Sequence, residues 1–174
     1  MSLISFRSDC SSIFRKSISF WISFEDCSLP KRKVKKINRE KKYGLCKLDT
    51  YTKFDKNIRK IKKELNEFLK KSKISSKTVV SYGAPAKGNT LLNYCNIKSK
   101  HIPYTVDKNP YKQNLFLPGS HIPIKHTREI MRTKPDYLLI LPWNLRTEII
   151  EQMSFIRKWG GKFVIPIPKL QVIN

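Results

Sequence analysis

From residue 78 onward the chain alternates short apolar runs with helix-like stretches, and that alternation restricts it to few architectures. Residues 78–82, 104–106, 137–141 and 162–165 read as strands, being brief, apolar and rich in β-branched or aromatic types. The run at 137–141, Tyr-Leu-Leu-Ile-Leu, is continuously apolar, as strands covered on both faces tend to be. Between the strands lie helix-like segments. One begins near Asn89 and Thr90 and continues through Leu91, Leu92 and Tyr94, and another covers 127–133. A third, 147–159, carries Ile149, Ile150, Met153 and Ile156 and is closed by Gly160-Gly161. Asn109-Pro110 and Pro118-Gly119 mark a long loop with turn chemistry. Strands separated by helices predict an α/β domain, a mostly parallel sheet with helices packed on it.

Upstream the texture differs. Tyr51, Phe54, Ile58, Ile61, Leu65 and Phe68 recur at steps of three and four, which predicts a helix from Tyr51 with these six on one buried stripe. Lysines fill its other face, as expected of a solvated one. The 36 basic and 13 acidic residues leave the chain at +23, and residues 31–73 alone hold eighteen basic against five acidic, a net of +13. Such a charge admits nucleic acid or another polyanion as partner. Drift of surface positions toward lysine explains it equally and is the preferred reading. A basic nucleic-acid-binding module remains the alternative, but the aromatics available for stacking on bases there are Tyr43, Tyr51, Phe54 and Phe68, three of them on the apolar stripe. Residues 17–24 alternate as a strand would, and Pro30 with Lys31-Arg32-Lys33 breaks that pattern. The expected division is a basic amino-terminal segment, 1–50, partly unstructured, and a domain at 51–174.

Cys10, Cys27, Cys46 and Cys95 form no C-x-x-C pair, so neither a zinc cage nor a disulfide framework is expected. The apolar stretches before residue 24 are broken by Arg7, Asp9, Arg15 and Lys16. No run reaches the roughly 20 residues of a membrane span, no export signal is read, and a cytoplasmic location is expected.

Chemistry concentrates in the turns that follow the strands. Gly83-Ala-Pro-Ala-Lys-Gly88-Asn-Thr90 leaves a strand and opens a helix, a context in which free amides and the helix dipole favour an anion. Its glycines are spaced as in a P-loop, but Asn89 stands where a triphosphatase needs lysine, so that activity is rejected. Pro85 occupies the place of the second glycine of a dinucleotide fingerprint. Asp107 ends the next strand, near the offset at which an acid reaches a ribose diol, and Lys112 and Gln113 follow it. Trp143 and Asn144 come after the third strand, where the indole could stack on a base or sugar or merely pack under a helix. His101, His121 and His126 form no metal set and no nucleophile–base pair, so no catalytic residue is assigned.

Several ordered stretches resemble one family: residues 83–94, 104–113 (Tyr-Thr-Val-Asp-Lys-Asn-Pro-Tyr-Lys-Gln), 118–124 (Pro-Gly-Ser-His-Ile-Pro-Ile), 135–145 and 159–168 (Trp-Gly-Gly-Lys-Phe-Val-Ile-Pro-Ile-Pro). They look like the carboxy-terminal domain of the sugar C-methyltransferases. The resemblance covers residues 51–173 and extends faintly through 17–22, similar to the end of the family's middle domain. It implies a Rossmann-like three-layer αβα fold, preceded by the basic helix. It also implies a full enzyme with an amino-terminal zinc domain and a middle S-adenosylmethionine domain that carries the catalytic residues. On that basis this chain is expected to bind no cofactor itself and to be inactive alone. Its expected ligand is a nucleotide-linked deoxysugar, facing Gly83, Lys87, Gly88, Asn89, Asp107, Lys112, Trp143 and Asn144. Its expected protein partners are a separate cofactor-domain polypeptide or a second copy of itself.

Overall fold

The computed structural model describes residues 31–174, with side chains from residue 36. The strand read at 17–24 lies outside the described residues. The described residues divide into two units, 31–51 and 52–174.

In the first unit, residues Lys31–Lys42 form helix α1, where the sequence suggested only a break. Lys, Arg and Glu are good helix formers, and the basic Arg39, Lys41 and Lys42 of the last turn complement the negative end of the helix dipole. The periodicity of apolar residues could not reveal it, because it has almost none. Helix α2, Leu48–Ile74, starts three residues before Tyr51. The preceding turn explains the early start: Gly44 adopts φ +68, a conformation open to glycine, and its carbonyl accepts the Lys47 amide and the Thr50 hydroxyl.

The second unit is a six-stranded sheet of order β3-β2-β1-β4-β5-β6. The strands are β1 Val79–Tyr82, β2 Thr105–Val106, β3 Ile124–Lys125, β4 Tyr137–Ile140, β5 Lys162–Ile165 and β6 Gln171–Ile173. The first five are mutually parallel and β6 is antiparallel to β5. This is the strand order of Rossmann folds. The period of two sorts each strand between two cores. Val79, Leu139, Leu141 and Val164 join Leu65, Leu69, Leu91 and Leu92 on one face. Val80, Tyr82, Leu138, Ile140 and Phe163 join Ile130, Ile149, Met153 and Ile156 on the other. The helices that bring those residues are α2 and α3 (Ala86–Tyr94) on the first face, and α4 (Glu129–Thr133) with α5 (Arg146–Gln152) and the 3₁₀ stretch after it on the second. The product is a three-layer αβα sandwich.

Several expectations are corrected. Strands β3 and β6 were not foreseen; two and three residues long, they are held by backbone pairing to β2 and β5 and carry too little pattern to be read. The stretch 147–159 is not one helix: α5 ends at Gln152 and a 3₁₀ segment, Ser154–Trp159, continues to Gly160 at φ +81. The short helix begins at Glu129 rather than 127. The α2 stripe is buried only in its second half. Leu65 and Leu69 are interior, whereas Tyr51 and Phe54 are 54% and 62% exposed, so the stripe read as buried does not extend to them.

Two close contacts in the sheet layer can be tested. A Cβ added to Gly88 would lie 2.7 Å from the Leu141 Cβ and 3.1 Å from the Pro85 ring. Gly88→Ala is therefore expected to cost about 1–3 kcal/mol. In a double-mutant cycle by urea unfolding, the loss should be less than additive with Leu141→Gly, which removes the opposing Cβ. Glu129 is held near 2, below its ordinary 4.5, by hydrogen bonds from Arg132 and then Lys125. A depressed carboxylate stabilises above its unfolded value and loses that contribution as pH falls through the folded one. Because Arg132 is largely exposed, Glu129→Gln should lower stability at pH 6 by only about 1 kcal/mol. That gap should close between about pH 4.5 and 2 in parallel unfolding curves.

Candidate functional site

The residues singled out in sequence meet at the carboxyl ends of β1, β2 and β4. In open α/β sheets this edge is where ligands bind. Gly83 turns the chain out of β1 at φ +86, and a Cβ there would lie 2.8 Å from the Pro142 ring. Helix α3 then begins at Ala86, not near Asn89, because Pro85 already supplies the extended residue before the first turn, at φ −79 and ψ 152. Lys87, Gly88 and Asn89 consequently belong to the first helical turn rather than to a loop. No side chain caps this helix, and among the described residues nothing accepts from the Ala86, Lys87 or Gly88 amides. Three N–H groups are left at the positive end of the dipole.

Asp107 holds the backbone of two turns. Its Oδ2 accepts the Ala84 amide at 2.7 Å and its Oδ1 the Asn109 amide at 2.8 Å. The carboxylate thus clamps the β1–α3 turn to the loop after β2. Lys112 completes the brace: its Nζ donates to the Ala84 carbonyl at 3.0 Å and lies 3.9 Å from Asp107. Gln113 donates to the Asp107 carbonyl at 2.9 Å. Asp107 and Lys112 offset each other's charge, whereas Lys87 has no carboxylate partner among the described residues. Its Nζ donates to the Asn144 side-chain oxygen and lies 4.6 Å from the Trp143 ring centroid. The indole is half-buried and packs against the α2/α3 core, which favours its packing role over an open stacking platform. Asn89 is drawn away from the cluster. Its side chain meets Asn93, which also donates to the Pro118 carbonyl at 2.9 Å.

Sequence reasoning missed Ala84, both of whose backbone polar groups are held, and Asn109. The Asp107-x-Asn109-x-Tyr111 spacing was the available signal: the Asn109 side chain in turn accepts the Tyr111 amide at 3.0 Å, giving two successive Asx turns. His126 follows β3 at the same carboxyl edge, but no hydrogen bond joins it or the other histidines to the cluster among the described residues. His101 is half-buried, and its Nδ1 accepts the Lys98 amide at 3.2 Å. His126 Nδ1 accepts the Arg128 amide at 3.1 Å. Among the described residues no group of three or more His, Cys, Asp or Glu side chains could hold a metal, and no helix is long and apolar enough to cross a membrane.

Against this geometry the comparisons are specific. A family model for the C-methyltransferase C-terminal domain matches residues 17–168. The C-methyltransferase NovU of Streptomyces niveus is 35% identical over 138 residues, which cover 79% of this chain and 33% of that protein. The chain therefore spans about a third of the length of that curated relative. Among solved structures, the UDP-D-quinovosamine 4-dehydrogenase of Vibrio fischeri aligns with a TM-score of 0.39 at 19% identity, over 56% of this chain and 93% of that one. The match to the family model runs through both turns of the carboxyl edge and both sheet cores, and the chain belongs to the C-methyltransferase C-terminal domain family.

Proposed function

We propose that the carboxyl edge holds the diphosphate of a nucleotide-linked sugar, as part of a sugar C-methyltransferase whose methyl-donor chemistry is supplied by residues other than these. The observation that carries this reading is the uncapped start of α3, with three unaccepted amides beside the Lys87 ammonium. A phosphate oxygen there would gain backbone donors, a favourable dipole and one mobile cation. Lys87 would exchange the neutral Asn144 oxygen for an anionic one, a stronger partner. Asp107 and Lys112 act as positioning residues, since their bonds fix Ala84 and hence the direction of the following amides.

S-adenosylmethionine does not suit the edge as described. A sulfonium at this edge would face the ammonium groups of Lys87 and Lys112 rather than an anion. The cofactor implied by the family is therefore assigned to another part of the enzyme. Residues 51–174 serve as the substrate-holding domain, and the partner that completes turnover is a cofactor-bearing domain, on the same or a second polypeptide.

Thermal-shift and calorimetric titration check this. Nucleoside diphosphates and nucleotide-sugars are expected to stabilise the chain by about 2.7 kcal/mol at a hundredfold excess over Kd, and S-adenosylmethionine not at all. Lys87→Gln should weaken diphosphate binding about tenfold, the worth of one charge-assisted hydrogen bond. Asp107→Ala should weaken binding and also lower stability by about 1–3 kcal/mol, because the Ala84 amide loses its acceptor. Stabilisation by S-adenosylmethionine alone, or methyl transfer from labelled donor by this polypeptide alone, would overturn the assignment.

A further inference from the structure

The opposite end of the sheet carries a second concentration of positive charge. Where β1 and β2 begin, a cavity of about 500 Å³ opens between the last turns of α2 and the segment 99–103. That volume lies in the range of small-molecule sites. Lys70, Lys73, Lys77, Lys100 and His101 line it over an apolar floor of Leu69 and Val79, and no acidic residue takes part in the lining. The nearby Asp136 accepts the Thr78 amide through its Oδ2 at 2.8 Å and makes no ion pair with these lysines among the described residues. Lys77 lies 5.5 Å from the Tyr137 ring centroid, whereas Lys70, Lys73 and Lys100 have no carboxylate partner among the described residues.

Lysines near a helix carboxyl end have an ordinary explanation in the dipole, and α2 ends here. Ser76 at φ +52 closes it, with its amide on the Lys73 carbonyl and the Lys77 amide on the Ser72 carbonyl. The dipole, however, is worth only about half a negative charge. It offsets part of one lysine, and Lys100 comes from a different segment altogether. Several ammonium groups thus share one concave, partly apolar space with no carboxylate in its lining, where repulsion is screened less than on an open surface. His101 registers that field. Burial, then Lys100 and Lys73, hold its imidazole below the ordinary value. With Nδ1 accepting the Lys98 amide, the neutral ring carries its proton on Nε2 as a donor.

We propose that this amino-edge groove is a second anion site, which takes the phosphate groups of a small ligand through Lys73, Lys100 and the His101 Nε2–H. It is separate from the carboxyl edge and does not depend on the reading given to that edge.

The test is NMR titration of the histidine ring signals with inorganic pyrophosphate at fixed ionic strength, because His101 reports this groove alone. Saturable movement of the His101 signals is expected, and its titration midpoint should rise once the bound anion counters Lys73 and Lys100. The double variant Lys73→Gln/Lys100→Gln should weaken the His101-reported affinity at least tenfold. A charge-matched control on exposed lysines elsewhere, Lys56→Gln/Lys158→Gln, should change it less than twofold, and Lys87→Gln should leave it unaltered. Equal loss in the two double variants would reduce the effect to diffuse surface charge and overturn the site. An unmoved His101 would overturn it as well, as would binding of an oligonucleotide but not of pyrophosphate.

Discussion

The acceptance of the Ala84 amide by the Asp107 carboxylate is the constraint around which the carboxyl edge is arranged. A strand that leaves a parallel sheet into a helix must turn sharply, and its freed amides need acceptors or water. Asp107 takes one of them and thereby joins the end of β2 to the turn after β1, twenty-three residues earlier in the chain. Lys112 fixes the carbonyl of the same residue, so Ala84 is held from both sides. With Ala84 immobilised and Pro85 restricted by its ring, α3 can start only where it does, and its first amides point where the strands end. The Gly83 and Gly88 approaches to Pro142 and Leu141 then close the turn down onto β4. Geometry at this edge is set by covalent restriction and by buried acceptors more than by the lysines that decorate it.

Much of this was legible in the chain itself. The four main strands were readable because each is a short run rich in β-branched or aromatic residues, and in a sheet covered on both faces nearly every position is inside. The carboxyl edge was readable because strand-ending residues announce it: Gly83, Asp107 and the Pro142-Trp143-Asn144 step all follow such runs. The helix start was misplaced by three residues because proline there was taken as a loop residue, when it is the last extended residue before the first turn. The structural role of Asp107 was hidden for a related reason. Spacing reveals that an acid ends a strand, but not that two amides reach it first. Helix α1 and strands β3 and β6 escaped because no apolar periodicity marks them. α1 is a run of charged helix formers, and the two short strands owe their form to neighbours rather than to their own composition.

Charge tells a divided story. Along α2 the ion pairs Arg59–Asp55, Lys60–Glu64 and Lys63–Glu67 are i,i+4 surface contacts, each worth a few tenths of a kcal/mol, and they account for lysine as an ordinary helix surface. Beyond Leu69 the pairing stops and the lysines collect around a concavity. A single average of net charge over the chain conceals this difference between neutralised and unopposed cations.

The reversal at the end of the sheet has a practical consequence for anyone who wishes to tether or label this polypeptide. Because β6 runs back along β5, with Ile173 opposite Phe163, residue 174 returns to the level at which β5 begins, and the Arg157 guanidinium holds its carbonyl at 3.0 Å. A fluorophore or affinity handle joined after Asn174 would leave from the side remote from the α3 start. It would also sit three strand spacings from β1, roughly 14 Å across the sheet. Immobilisation through that terminus therefore presents the turn-bearing face to solution unobstructed.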